Sequence, residues 1–247
     1  MVPEMPPQEP VEELGEGSRL SGIFFEPKKA FSDIARRPGW IVPLVLIVLG
    51  GLAYTFAFTQ HVGWERFMRQ TIESSPRTAQ LNAEKREQVI ETQARFAPIF
   101  GYVGVLVGVP LYNVIAAGIL LLLANAMLSA QLRFKQVFAV VCYSGLPGVL
   151  FSALAIGVMF LKNPDDFNLR NPLMFNPGSF MDPNGPNKFL YSLASSIDLF
   201  TFWAILLMAI GLSAAGRKVS LGGALTVVVL PWAVWVLIKS AMAGVFG

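Results

Sequence analysis

Charge is scarce in this chain, and so are the residues on which most catalytic and metal sites depend. Only 14% of the 247 residues are charged, against about 25% in a typical soluble domain. The net charge of +3 is too small and too scattered for a nucleic-acid-binding surface, so we expect no nucleic-acid partner. One cysteine, Cys142, excludes an internal disulfide, and one histidine, His61, argues against a multi-histidine metal site. We therefore expect no metal and no cofactor.

Recognisable catalytic motifs are missing as well. The sequence contains no HExxH zinc motif, no glycine-rich phosphate-binding loop and no GxSxG nucleophile motif. Cys142 lies in an apolar run, which is more typical of a packed small residue than of a nucleophile. These absences predict that the protein is not an enzyme.

The first 18 residues are acidic and proline-rich, and they contain no apolar stretch of the kind found in a signal peptide. We therefore expect no cleavable leader here. Such a segment buries too little apolar surface to offset the entropy lost on ordering. The composition predicts that residues 1–18 are disordered.

Apolar residues make up 54% of the chain, and most of them fall in five long segments. A helix of about 20 residues crosses the hydrocarbon core of a bilayer. We predict an all-α, polytopic membrane protein in which residues 19–247 form one membrane domain with five transmembrane helices. The second segment is longer than one crossing needs, so it should bend at Pro110, lie partly in the interface, or tilt strongly. The predicted spans are about 41–58, 98–130, 137–161, 189–215 and 221–245.

Residues 27–37 have the pattern of a short amphipathic helix that precedes the first span. Pro27 suits a first helical turn, and Phe31 and Ile34 fall on one face. An apolar face beside basic residues favours a helix lying in the membrane interface, with Trp40 as an interfacial aromatic residue. An ordinary linker is the alternative. The predicted membrane-surface residues are Lys28, Lys29, Phe31, Arg36 and Arg37.

Two very short connections carry basic residues and no acidic residue. They contain Arg133 and Lys135, and Arg217 and Lys218, respectively. Because short cytoplasmic loops are enriched in Lys and Arg, both connections should face the cytoplasm. With five spans, this orientation predicts a cytoplasmic N-terminus and a C-terminus on the outside.

Asp198 is the only acidic residue within an apolar segment, and a charged group in a bilayer is costly. Lys239 lies at the same sequence distance from the short turn that joins the last two spans. We therefore predict an Asp198–Lys239 ion pair at the outer boundary, with Asn113 as a third member of the polar cluster. Either this pair is structural, or Asp198 serves transport. Pro147 and Pro231 fit both hypotheses, as tolerated kinks or as the broken helices of a transporter.

Three short motifs resemble those of a known family. Residues 22–31, Gly-Ile-Phe-Phe-Glu-Pro-Lys-Lys-Ala-Phe, and residues 37–40, Arg-Pro-Gly-Trp, are similar to the N-terminal helix of its prokaryotic members and include Pro27 and Trp40. Tyr143-Ser-Gly-Leu-Pro147 resembles its Tyr-Ser-x-x-Pro signature in span three. Residues 198–203, Asp-Leu-Phe-Thr-Phe-Trp, followed by Gly-Leu at 211–212, resemble its Asp-x-Phe-x-x-Trp start of span four, with Asp198 and Trp203 as motif residues. From about residue 20 onward, the chain resembles the Yip1 domain family of five-span membrane proteins.

Eukaryotic members of this family are associated with Rab-type GTPases and early secretory traffic. This sequence has no Asp-Leu-Tyr-Gly-Pro motif and no long cytoplasmic domain. The resemblance therefore implies a bacterial inner-membrane member and a non-enzymatic scaffold. Its expected partners are the lipid bilayer and a protein bound at the cytoplasmic face. The alternative function is a small transporter or channel that uses Asp198 and the proline-kinked helices.

Overall fold

The computed structural model describes residues 13–73, 80–169, 171–183 and 185–246, and every regular element within these ranges is helical. The α-helices are α1 (Glu16–Phe25), α2 (Pro27–Arg36), α3 (Ile41–His61), α4 (Trp64–Glu73), α5 (Ala83–Val103), α6 (Val109–Leu128), α7 (Phe134–Ser144), α8 (Pro147–Leu161), α9 (Lys188–Ser196), α10 (Leu199–Ala215) and α11 (Leu221–Phe246). A π-helical segment, Gly104–Gly108, joins α5 to α6. Two short 3₁₀ helices, Pro164–Asp166 and Pro177–Phe180, lie before α9.

Four stretches are long and apolar enough to cross a membrane: α3, α5 to α6, α7 to α8, and α11. Helices α9 and α10 form a fifth candidate if they count as one span, although they are bent by 51° at a short break. The all-α membrane architecture is therefore confirmed, with four or five spans. The sequence identified the apolar segments correctly, but it did not predict the breaks within them.

The second span is longer than predicted because the polar connection before it is also helical. Asn82, a residue type favoured at helix N-caps, caps α5 by accepting a hydrogen bond from the backbone N–H of Lys85 at 2.9 Å. The helix then runs from Ala83 to Leu128 over 46 residues. Pro110 does not end it. The π segment directly before Pro110 supplies the local adjustment that a proline inside a helix requires.

The two other prolines within predicted spans behave differently from one another. Pro147 starts α8 after a two-residue break that separates it from α7. Pro231 lies inside α11, which continues past it without interruption. A proline in an apolar run therefore did not predict by itself where a helix breaks, because neighbouring groups determine how the lost hydrogen bond is accommodated.

The N-terminal region corrects two predictions. Residues 1–12 lie outside the described residues, but Glu16–Ser18, predicted to be disordered, begin α1. Helix α2 forms almost where the interfacial helix was predicted, yet its apolar face lies against the protein and not against lipid. Phe31 and Ile34 are fully buried. We call α1 and α2 together the N-terminal hairpin; it packs against α7 and α10.

Two apolar clusters hold the helices together. The larger cluster joins the N-terminal hairpin to α6, α7, α10 and α11, and it includes Ile23, Phe31, Val140, Tyr143 and Leu212. The smaller cluster lies at the other end of α3 and α8, where Phe58 and Met159 meet Phe167 of the following connection. The hairpin and the short basic connections thus lie at one end of the molecule, and the long connections pack together at the other.

Candidate functional site

A buried ion pair links the two helices of the N-terminal hairpin. The Nε of Arg19 on α1 donates to the Oδ2 of Asp33 on α2 at 2.7 Å, and both side chains are almost completely buried, with 6% and 2% exposed. The hairpin geometry brings these side chains together although they are 14 residues apart in sequence. Each charge compensates the other, because a charged group removed from water is costly unless an opposite charge lies beside it.

Asp33 also accepts from the end of its own helix. Arg37 Nη2 donates to both carboxylate oxygens, at 3.0 and 3.3 Å, and Arg36 lies 3.5 Å away. Burial alone would raise the pKa of Asp33, but the hydrogen bonds from Arg19 and Arg37 outweigh it and hold the pKa below its ordinary value. Asp33 is therefore the charged centre of the hairpin.

Glu16, at the start of α1, connects this centre to the membrane helices. One of its carboxylate oxygens accepts from Arg19 at 2.8 Å, and the other accepts from the Tyr143 hydroxyl at 2.7 Å. Tyr143 is fully buried and belongs to the Tyr-Ser-Gly-Leu-Pro motif. On the other side of the network, Arg37 pairs with Glu13. The motif tyrosine thus fastens the hairpin by a charge-assisted hydrogen bond.

The hairpin and Trp40, which follows it, make further contacts with α7 and α10. The Trp203 ring meets Phe24 edge-on, with 5.6 Å between ring centroids, and Trp40 meets Phe138 at 5.2 Å. Gln136 Nε2 on α7 donates to the carbonyl oxygen of Ala35 at the end of α2, at 3.0 Å. Pro147, the last residue of the Tyr-Ser-Gly-Leu-Pro motif, is the first residue of α8, just after α7 ends.

Close packing of the hairpin depends on Gly211 of α10. A Cβ at this position would lie 2.5 Å from Val140 Cγ1 and 3.0 Å from the Phe31 ring. Only glycine therefore allows α2, α7 and α10 to approach one another at this level. Gly211 belongs to the Gly-Leu pair that follows the Asp-x-Phe-x-x-Trp motif. The buried Phe31 ring explains why this position holds a glycine.

The predicted Asp198–Lys239 ion pair is wrong. Asp198 is the N-cap of α10 and accepts from the backbone N–H groups of Phe200 and Thr201, at 2.9 and 3.2 Å. Lys239 lies on the exposed side of α11 and makes no salt bridge within the described residues. Equal depth did not fix the direction of the side chains, and the helix break at residue 197 gave the carboxylate a local role.

The polar cluster that was to include Asn113 does not form. Asn113 is buried, and its side-chain amide donates to the carbonyl oxygen of Val109 in the preceding turn, at 3.0 Å. The structure therefore separates the three residues Asn113, Asp198 and Lys239 into three local environments. Within the described ranges, no group of three or more His, Cys, Asp or Glu residues is arranged to hold a metal ion.

Of the five predicted membrane-surface residues, three lie on the exposed surface: Lys28, Lys29 and Arg36. The prediction for Phe31 is wrong, because this side chain packs inside the protein. Arg37 is partly buried and forms an ion pair with Asp33. Sequence reasoning missed Glu16, Arg19 and Asp33. The available signal was the spacing of Asp33 three and four residues before two arginines, which fits side-chain pairing along a helix.

Comparisons with curated proteins and with solved structures gave no match. The family model of the Yip1 domain matches residues 21–242, which is nearly the entire chain. This match confirms the resemblance carried by the three motifs, and it runs from within α1 to within α11. The family is generally one of non-catalytic membrane proteins. The chain belongs to the Yip1 domain family.

Proposed function

We propose that this protein is a non-enzymatic membrane scaffold that presents its N-terminal hairpin to a protein partner at the cytoplasmic face. The observation that carries the proposal is the fixed position of the hairpin. The buried Arg19–Asp33 pair joins its two helices, and the hydrogen bond from Tyr143 to Glu16 fastens it to the bundle. A hairpin held in this way offers a preformed surface, and preorganisation lowers the entropic cost of binding.

The charge distribution supports a cytoplasmic location for the hairpin. The end of α2 is hydrogen-bonded to the start of α7, next to the connection that carries Arg133 and Lys135. A shared cavity brings Ala35 and Gln136 together with Ala214 and Ala215 at the end of α10, next to the turn with Arg217 and Lys218. Because cytoplasmic connections are rich in Lys and Arg, we propose that this end faces the cytoplasm of a bacterial inner membrane. With five crossings, the C-terminus would then face outward.

The alternative, a small transporter or channel, is not favoured. Its central residue, Asp198, uses its carboxylate to cap α10, and Lys239 lies on the exposed side of its helix. An aspartate at an N-cap satisfies backbone N–H groups that would otherwise lack partners. Its presence in an apolar segment therefore has a structural explanation.

Photo-crosslinking in native membranes tests the scaffold proposal. A photoreactive amino acid replaces Ser21, on the exposed face of α1, and a matched control replaces Leu122, which is 71% exposed on α6. We expect discrete protein adducts at position 21 that weaken when Asp33→Asn loosens the hairpin. An identical adduct pattern at both positions would contradict a partner-binding role for the hairpin.

Cysteine labelling tests the orientation in cells after Cys142 has been replaced. Lys218→Cys and Lys162→Cys both place the thiol at an exposed position, at opposite ends of the molecule. A membrane-impermeant reagent added from outside should label position 162 and leave position 218 unlabelled. The reverse pattern would place the hairpin outside the cell.

A further inference from the structure

The exposed face of α2 carries a stripe of polar residues that the scaffold proposal leaves unexplained. Lys28, Ser32 and Arg36 are spaced four residues apart, so they lie on one side of the helix and extend over roughly 12 Å. All three are exposed, whereas the opposite side of α2 is buried in the bundle. A cavity opens on each side of Ser32 along this stripe.

The smaller cavity has a volume of about 240 Å³ and joins two kinds of surface. Its polar wall comes from Lys28, Ser32 and Ser213, and its apolar wall comes from Ile210, Ala214 and Leu221. The apolar residues belong to α10 and α11, which are membrane helices. The larger cavity, of about 680 Å³, continues toward Arg36 and shares Ser32 and Ala214 with the smaller one.

The charge at the smaller cavity is positive and not neutralised. Lys28 makes no ion pair within the described residues, and the small cavity has no acidic lining residue. Arg36 lies near Asp33, but Arg19 and Arg37 already bind that carboxylate. The turn between Ala214 and Leu221 adds Arg217 and Lys218, both exposed. An anion would therefore gain favourable electrostatic interactions here.

We infer that the cleft between α2 and the α10–α11 turn binds the phosphate of an anionic phospholipid. Lys28 pairs with the phosphate, and the Ser32 hydroxyl, which now donates to the Lys28 carbonyl oxygen at 2.8 Å, rotates to donate to it. Ser213 is not free for this role, because its hydroxyl donates to the carbonyl oxygen of Val219 in the α10–α11 turn at 2.8 Å. The acyl chains lie along Ile210 and Leu221.

The apolar wall selects a lipid over other anions. A free phosphate monoester would gain the same charge interaction at Lys28 but would leave Ile210, Ala214 and Leu221 uncovered. An acidic protein segment would have to lie against an apolar wall formed by membrane helices. Basic pockets between membrane helices on the cytoplasmic side are a known type of site for anionic lipid headgroups.

Native mass spectrometry of the full chain in detergent tests this inference with dioleoyl phosphatidylglycerol and dioleoyl phosphatidylcholine as probes. The account predicts preferential binding of phosphatidylglycerol and an affinity about fivefold weaker for Lys28→Ala, because one lysine near an anionic lipid contributes an effect of that order. Lys28→Arg should bind like the parent protein. Lys85→Ala is the matched control, because it removes an exposed lysine far along the chain on α5.

Each other outcome would overturn the site. Equal binding of both lipids, or an unchanged affinity of Lys28→Ala, would contradict a contact between the lipid phosphate and Lys28. Displacement of the lipid by soluble glycerol phosphate would assign the site to free phosphates, and displacement by a glutamate-rich peptide would assign it to an acidic protein segment. Because no partner protein is present, a failure here is distinguishable from a failure of the scaffold proposal. Lys28 is exposed, so the variants should fold normally.

Discussion

The N-terminal hairpin and the long helix from Ala83 to Leu128 use apolar residues in opposite ways. The hairpin is short and rich in charge, yet it buries Ile23, Phe31 and Ile34 completely. The long helix is much more apolar, but only 17% of its most apolar window is buried inside the protein. Side chains such as Leu106 and Leu122 face outward. The more hydrophobic region is therefore the less buried one.

This difference follows from the solvent. In a bilayer, apolar side chains gain little by leaving lipid for protein, so hydropathy identifies a span without determining what it packs against. Polar and small residues determine the contacts instead. For the hairpin, these residues are Arg19 and Asp33 within it and Gly211 on α10, against which it packs. We expect changes in the hairpin to destabilise the protein and matched changes in the long helix to have little effect.

The largest difference should come from removing a large apolar side chain in each region. Phe31→Ala leaves a cavity between α2, α7 and α10 and should cost about 3–5 kcal/mol of unfolding free energy. Leu122→Ala, at a site that is 71% exposed, is the control and should change stability little. Unfolding in detergent, followed by circular dichroism, measures both. Equal effects would mean that Phe31 faces lipid, as the sequence alone suggested.

Breaking the buried ion pair should have the next largest effect. Asp33→Ala leaves the buried Arg19 with only the half-exposed Glu16 as an ion-pair partner and should cost about 3 kcal/mol. The combined change Arg19→Met and Asp33→Leu removes both charges and should restore most of the loss. Glu87→Ala, which breaks the exposed Arg69–Glu87 pair, is the control and should leave the unfolding midpoint nearly unchanged. A combined variant that is as unstable as Asp33→Ala would contradict a direct interaction.

The same ion pair should make stability depend on acid. The pKa of Asp33 is lower in the folded protein than in the unfolded chain, so its contribution is present above the unfolded pKa of about 4 and is lost as pH falls through the folded pKa. The unfolding midpoint should hold from pH 7 to 5 and fall below about 4. The combined variant, Arg19→Met with Asp33→Leu, should show a smaller fall in its unfolding midpoint. Parallel pH curves for both proteins would contradict this role of Asp33.

Two glycines provide the next comparison. A Cβ at Gly211 would be too close to Val140 and Phe31, so Gly211→Ala should cost about 1–3 kcal/mol. A Cβ at Gly104, in the long helix, would meet no atom within 4 Å. Gly104→Ala should therefore change stability by less than about 0.5 kcal/mol. If Gly104→Ala proved the more damaging, the close approach at α10 would not matter for stability.

The smallest effect should come from Tyr143→Phe, which removes one hydroxyl from the fully buried tyrosine. Loss of its bond to Glu16 should cost about 1 kcal/mol, because Glu16 is partly exposed and can be solvated in its place. Tyr102→Phe, on α5, is a control without a described hydrogen bond. The measurement is the same unfolding midpoint. If both variants had the same unfolding midpoint, the Tyr143 hydroxyl would not contribute to holding the hairpin.

The positions of the spans could be predicted because hydropathy over about 20 residues is a local property. The family motifs were also recognisable, because each depends on neighbouring residues. The Arg19–Asp33 contact was not, because it depends on how two helices fold back on each other. Asp198 and Lys239 were paired by depth alone, but the carboxylate caps α10 and Lys239 lies on the exposed side of α11. Phe31 was assigned to lipid because an amphipathic pattern does not say whether protein or bilayer covers the apolar face.

The central claim is that the Arg19–Asp33 pair joins α1 to α2 and so keeps the N-terminal hairpin folded on the bundle. Hydrogen exchange of the full chain in detergent, read by mass spectrometry, tests it most directly. We predict that peptides covering 27–36 are as protected as those covering 205–212, and that Asp33→Ala removes the protection of 27–36 while peptides covering 109–128 stay unchanged. Rapid exchange of 27–36 in the parent protein, or protection that survives Asp33→Ala, would contradict the account.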